Sequence, residues 1–172
     1  LVCSRRKIYV WHHWFEGLLH ERVKDTFNSD WSSVTGDAKR IFYGDYMSQT
    51  EPRKYAYLAV HDEVVASMVE ALQEYNDESK TPMNLVLFLD AVEHVSRLAR
   101  VLRQPQGNAL CLGVGGSGRQ SLTRLATHLS QYRIKQIEVA KGYGMVEWRE
   151  DVKEALLKAG LENKPLTFLF TD

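Results

Sequence analysis

Gly113-Val114-Gly115-Gly116-Ser117-Gly118-Arg119-Gln120-Ser121 lies between a short apolar run, Ala109 to Leu112, and a helix-patterned stretch whose apolar face is Leu122, Leu125, Ala126 and Leu129. Glycines so placed leave main-chain N–H groups free to curl around an anion, and a helix starting directly after them adds the positive end of its dipole. The texture then continues as a strand (Ile134 to Val139), a helix and a third strand (Leu166 to Phe170). That helix carries Trp148, Val152, Leu156 and Ala159 on one face and has Gly160 as its expected C-cap. Strands alternating with helices predict an α/β fold built on a parallel sheet with right-handed crossovers.

Two phosphate-binding patterns overlap on the glycine loop. In G-x-x-x-x-G-K-[ST], Gly113 and Gly118 match, Arg119 stands where lysine is expected and Gln120 takes the hydroxyl position. In G-x-G-x-x-G, the pattern of a dinucleotide (NAD)-binding oxidoreductase, Gly113, Gly115 and Gly118 match, and Glu138 lies about 20 residues further on, where a ribose-binding acid would sit. By pattern alone both remain open, as does a glycine turn with no ligand. Two features favour a nucleoside triphosphate. Arg119 places a permanent cation beside the terminal phosphates, and Leu166 to Asp172 is an apolar strand ending in an acid about 50 residues after the loop, as the Mg²⁺-supporting strand of an ATPase requires. The candidate phosphate contacts are therefore Gly113, Val114, Gly115, Gly116, Ser117, Gly118, Arg119, Gln120 and Ser121. The candidate Mg²⁺ ligands are Asp172, through water, and Gln120. Gln120 lacks the usual hydroxyl and Ser121 is rotated ~100° further round the helix, so the Gln120 amide oxygen is the substitute donor. An arginine fork in place of a compact ammonium keeps the charge but spoils catalytic placement, so nucleotide retention with little or no hydrolysis is expected.

Upstream, Ile8 to Phe27 has helical periodicity, with Trp11, Trp14, Phe15, Leu18 and Leu19 on one face and the tryptophans read as packing. Asn28 to Arg53 reads as irregular structure anchored by Trp31, Phe42, Tyr43 and Tyr46. A helix follows from Asp62 with a stripe of Val64, Val65, Met68, Val69 and Leu72. Another is predicted with Thr81 as cap and Pro82 at its first position, its core face running from Leu85 through Phe88, Leu89, Val92, Val95 and Leu98 to Leu102. A boundary near Tyr75 to Thr81 divides the chain into a helical segment, residues 1–78, and an α/β segment, residues 79–172.

Composition narrows the partners. With 22 basic and 22 acidic residues among 172 the formal charge is zero, and no basic cluster suits a phosphate backbone, so nucleic acid is not expected. Cys3 and Cys111 are far apart, which suggests neither a disulfide framework nor a metal pair and fits a reducing, cytoplasmic setting. The six histidines are dispersed. The longest apolar run, Leu85 to Leu89, falls well short of the ~20 residues that span a bilayer, and Ser4-Arg5-Arg6-Lys7 interrupts any signal-peptide core. No membrane association is expected. Leu1 is not an initiator methionine and Asp172 follows directly on a strand-like run, so the chain is expected to be a segment of a longer one.

Several stretches resemble axonemal dynein heavy chains: Ile41-Phe42-Tyr43-Gly44-Asp45-Tyr46-Met47, Asn84 to Arg103, Gly113 to Ala126, Lys141-Gly142-Tyr143-Gly144, Trp148-Arg149-Glu150-Asp151 and Phe168-Leu169-Phe170-Thr171-Asp172. The resemblance runs from about Lys39 to the end and implies the close of the third and the first part of the fourth AAA+ module of the motor ring. In that family six modules form the ring, the first hydrolyses most of the ATP, the third and fourth are regulatory or structural sites, and the microtubule-binding stalk leaves the fourth. What the resemblance implies here is ATP or ADP with Mg²⁺ at the loop and neighbouring AAA+ modules as direct partners. Through the parent chain it also implies dynein intermediate and light chains, microtubules and a place in the ciliary axoneme.

Overall fold

The computed structural model describes residues 5–35, 42–48, 50–139 and 141–171, and of residues 5–12, 34, 35 and 138 the main chain alone. The chain forms two compact units that divide between Ile41 and Phe42. In the first, α1 (Arg5–Phe27) follows the helical periodicity and leads to the short α2 (Trp31–Thr35), with the His20 ring stacked on Trp31 at 5.0 Å. Trp14 and Phe15, expected as packing residues, are more than half exposed, and the side chain of Trp11 lies outside the described residues.

The second unit opens with a hairpin that the polar, glycine-containing sequence concealed. Strands β1 (Phe42–Gly44) and β2 (Ala56–Leu58) pair antiparallel, with Phe42 opposite Leu58. Period-two alternation decides the faces: Phe42 turns inward, whereas Tyr43 turns outward beside the rings of Tyr55 and Tyr57. Next comes α3 (His61–Glu78), which has Asp62 and Glu63 in its first turn and buries Val64, Met68, Ala71 and Leu72. The packing break therefore falls well before the Tyr75 to Thr81 boundary read from composition. The reason is that α3 packs against α4 (Leu89–Arg103) and α5 (Arg119–Leu129) in one core. Val64, Met68, Val92, Val95 and Leu125 are each 0% exposed there. Tyr46 enters the same core and donates its hydroxyl to Ser96 Oγ at 2.9 Å, which in turn donates to the Val92 carbonyl. Burial pushes the Tyr46 phenol above its ordinary pKa.

Thr81 and Pro82 do not start α4; six residues, Met83 to Phe88, pass first. The Asn76 side chain clamps the Met83 main chain from both directions, accepting from its N–H at 2.7 Å and donating to its carbonyl at 2.9 Å. From there Met83, Leu85, Leu87 and Leu89 point into the core while Val86 and Phe88 are exposed, which is the alternation of an extended segment rather than a helical turn. At its far end α4 is tied to the hairpin region, because Arg103 pairs with Asp45 and lies 5.4 Å over the Tyr55 ring.

The parallel sheet is present as β3 (Arg133–Glu138) and β4 (Leu166–Thr171), in register from Arg133 opposite Leu166 to Glu138 opposite Thr171. Between them α6 (Met145–Glu162) sets Trp148 edge-on against Phe168 and Phe170 of β4. Asn163, in the left-handed region at φ 48°, ends α6, while Gly160 lies inside the helix. The expected strand at Ala109 to Leu112 does not form. Among the described residues no segment pairs with it, and Leu110 and Leu112 are exposed.

One ionic cluster joins sheet to helix. Lys135 of β3 meets Asp151 at 3.2 Å and Glu154 of α6, and Lys158 meets Glu154 at 2.6 Å. The hydrogen bonds from Lys135 and then Lys158 take the Glu154 carboxyl from its ordinary 4.5 down to about 2. A depressed acid contributes stability above its unfolded pKa and loses it as pH falls through the folded value. Denaturant midpoints measured on acidification should therefore drop across the window from 4.5 to about 2, and Glu154→Gln should flatten that part of the profile. An unchanged profile in the variant would show that the cluster contributes nothing.

Candidate functional site

The glycine loop owes its shape to two positive-φ residues, Gly116 at 76° and Gly118 at 75°, a region that side chains with a Cβ enter at a cost. Between them the Ser117 N–H donates to the Val114 carbonyl at 3.2 Å and closes a turn. Gly118 then occupies the N-cap position of α5, and its carbonyl accepts the Leu122 N–H at 2.8 Å. Among the described residues, the amides of Gly115, Gly116, Gly118, Arg119 and Gln120 take no acceptor. They form a run of free donors at the positive end of an eleven-residue helix. At Gly113 the matter is space: a Cβ there would stand 3.2 Å from Ser117 Oγ, a tight approach, and at ordinary contact distance, 3.4 Å, from Arg119 Cδ.

Arg119 binds the loop to itself. Its guanidinium donates to the Cys111 carbonyl at 3.2 Å and to the Val114 carbonyl at 3.4 Å, on either side of Gly113. Guanidinium has five N–H donors in a fixed fork, so these two bonds leave donors over for an anion seated on the free amides. One turn on, Thr123 Oγ1 donates to the Arg119 carbonyl at 2.8 Å and fixes the first turn of α5.

Gln120 points elsewhere than expected. Its Oε1 accepts from Gln136 Nε2 of β3 at 3.2 Å, and Gln136 is itself held by Arg124, whose Nε donates to Gln136 Oε1 at 2.9 Å. Spacing within the loop carries no signal of this relay, because it depends on which face of β3 meets α5. Ser121 is half-buried in the first turn of the helix. Asp172, the other candidate Mg²⁺ ligand, lies outside the described residues. So does the side chain of Glu138, whose main chain pairs opposite Thr171. Beside the loop a cleft of about 630 Å³ opens between α4, the 106–111 segment and β4, with Leu98, Leu110, Arg119, Gln120 and Thr123 on its walls. Thr167 Oγ1, on the β4 side, is buried without a hydrogen-bond partner.

Comparison with known proteins places this geometry. Residues 83–172, a little over half of the chain, match the family described as P-loop containing dynein motor region D4. The chain is 46% identical over 163 residues to dynein axonemal heavy chain 1 of Rattus norvegicus, covering 92% of this chain and 4% of that protein. It is 44% identical over 153 residues to dynein axonemal heavy chain 10 of Homo sapiens, covering 87% of this chain and 3% of the relative. With dynein axonemal heavy chain 3 of Mus musculus the identity is 42% over 146 residues, covering 81% and 4%. The chain thus spans only a few per cent of the length of the curated relatives it matches. The glycine loop, the helix it opens and the parallel strand pair all fall within the matched region, and on that ground the chain, an α/β P-loop fragment of AAA+ type, belongs to the dynein heavy-chain motor family.

Proposed function

We propose that this chain is the nucleotide-binding part of the fourth AAA+ module of an axonemal dynein heavy chain, preceded by the tail of the third, and that Gly113 to Ser121 hold the phosphates of ATP or ADP. The observation that carries this is the set of acceptor-free amides of Gly115, Gly116, Gly118, Arg119 and Gln120 at the start of α5, with the Arg119 guanidinium across the loop. Arg119 acts in two ways, holding the carbonyls of Cys111 and Val114 and offering its remaining N–H groups to a terminal phosphate. Hydrolysis is weak or absent, since neither Arg119 nor Gln120 matches what a phosphoryl-transfer site uses to place cation and metal. The site then serves the parent motor as a regulatory or structural one. Its direct partners are the neighbouring modules of the same heavy chain. Intermediate and light chains and microtubules are reached through the parent, in the ciliary axoneme, where the names of the relatives also point. Family membership lends the dinucleotide reading no support.

Thermal denaturation of the full chain with ADP, ATP or NAD tests this, because a ligand that binds only the folded state raises its stability. ADP and ATP should raise the midpoint and NAD should leave it unchanged. Stabilisation by NAD, or by none of the three, would overturn the reading.

A further inference from the structure

We infer that this site takes its nucleotide without a directly ligated Mg²⁺, so that affinity for ADP and ATP is nearly the same with the metal present or chelated. The inference rests on the nucleotide reading above and concerns the chemistry of the donor set. Mg²⁺ demands near-ideal octahedral oxygen geometry at ~2.0–2.1 Å and gives up its waters reluctantly. A short hydroxyl directly after the loop's cation meets that demand at little entropic cost. Position 120 carries a glutamine instead, and one of the two lone pairs of its Oε1 takes the Gln136 N–H of β3 at 3.2 Å. Gln136 cannot simply turn away, because Arg124 holds its other end through two guanidinium nitrogens.

To ligate a metal the Gln120 carboxamide would have to share or give up this bond and order a long, exposed arm, with a loss of rotamer freedom, for a neutral oxygen donor. The neighbouring hydroxyls do not replace it. Thr123 Oγ1 donates to the Arg119 carbonyl at 2.8 Å from a buried position one turn further on, and Ser121 stands ~100° round the helix from position 120. Asp172, the other candidate, acts through water and supplies no direct ligand, so what meets the phosphate charge at the loop is the guanidinium of Arg119 and the free amides, which need no metal.

Calorimetric titration of the full chain with ADP and with ATP, in excess Mg²⁺ and in EDTA, gives the test. The two dissociation constants should agree within about threefold, and Gln120→Thr, which restores a short hydroxyl, should bind at least about tenfold more tightly with Mg²⁺ than without. Gln120→Ser serves as a second variant with the same expectation should the threonine chain fold poorly. Wild-type binding that tightens tenfold or more with Mg²⁺ would overturn this inference while leaving the nucleotide reading standing. Metal-insensitive binding in both wild type and hydroxyl variants would also overturn it, since position 120 would then not control the metal. Absence of nucleotide binding in both buffers would sink the nucleotide reading itself, and this inference with it.

Discussion

Gly118→Val abolishes the stabilisation of the chain by ADP and ATP. Gly118 sits at φ 75°, ψ 6° immediately before α5, and a left-handed backbone costs an ordinary residue roughly 1–2 kcal/mol, more when it is β-branched. Nothing lies within 4 Å of a Cβ built there, so the difficulty is conformational and not a clash. The chain relieves it by leaving the left-handed region, and that rotation reorients the acceptor-free amides of Arg119 and Gln120 that follow. Losing two or more of these donors should weaken nucleotide binding by about 100-fold or more, on the scale of ~1.4 kcal/mol per factor of ten. The measurement is the nucleotide-dependent shift in melting temperature. Gly160→Ala is the matched control: that glycine lies inside α6 with open space around it. Alanine there should gain up to ~1 kcal/mol in helix stability and leave the nucleotide shift intact. A Gly118→Val chain that is still stabilised by ADP as the parent is would mean that the loop's conformation has nothing to do with binding.

What could be read from the residues alone follows the physics of each segment. Helices α1, α3, α5 and α6 and strands β3 and β4 are long enough for periodicity to declare itself, and the structure holds them close to where the patterns put them. The α4 region failed for a definite reason. Met83 to Leu89 is apolar at almost every position, so period two and period 3.6 fit equally well. A side chain seven residues away, Asn76, decides the matter by gripping Met83 in an extended conformation. Long-range partners also defeat local reading at β1 and β2, where three-residue strands join across the eleven mixed residues 45–55, and at Ala109 to Leu112, whose strand-like composition finds no ladder among the described residues. The same division holds at the site. The positive-φ glycines and the cation at 119 follow from residue type and order, whereas the relay from Arg124 through Gln136 to Gln120 joins a helix to a strand and is visible only once the two have packed.

That packing is also where the site depends on the rest of the fold, and Leu125→Ala measures the dependence. Leu125 is fully buried at the middle of α5, in the cluster shared with Val64 and Met68 of α3 and with Val92 and Val95 of α4. Truncating it removes three carbons' worth of apolar burial and leaves a cavity that three packed helices cannot fully collapse, so a loss of roughly 2–5 kcal/mol is expected. For a chain of this size that corresponds to a drop of about 5–15 °C in melting temperature. Leu156→Ala, at a position 68% exposed, should change stability by no more than about 0.5 kcal/mol. Because α5 presents the amides of Arg119 and Gln120 from its first turn, loosening its middle should also weaken ADP binding, though less than Gly118→Val does. The loop keeps its glycine geometry and loses only the rigidity of its support. Denaturant unfolding with and without ADP separates the two effects. A Leu125→Ala chain as stable as the parent would show that α3, α4 and α5 do not share the core described here, and the loop would then need some other support.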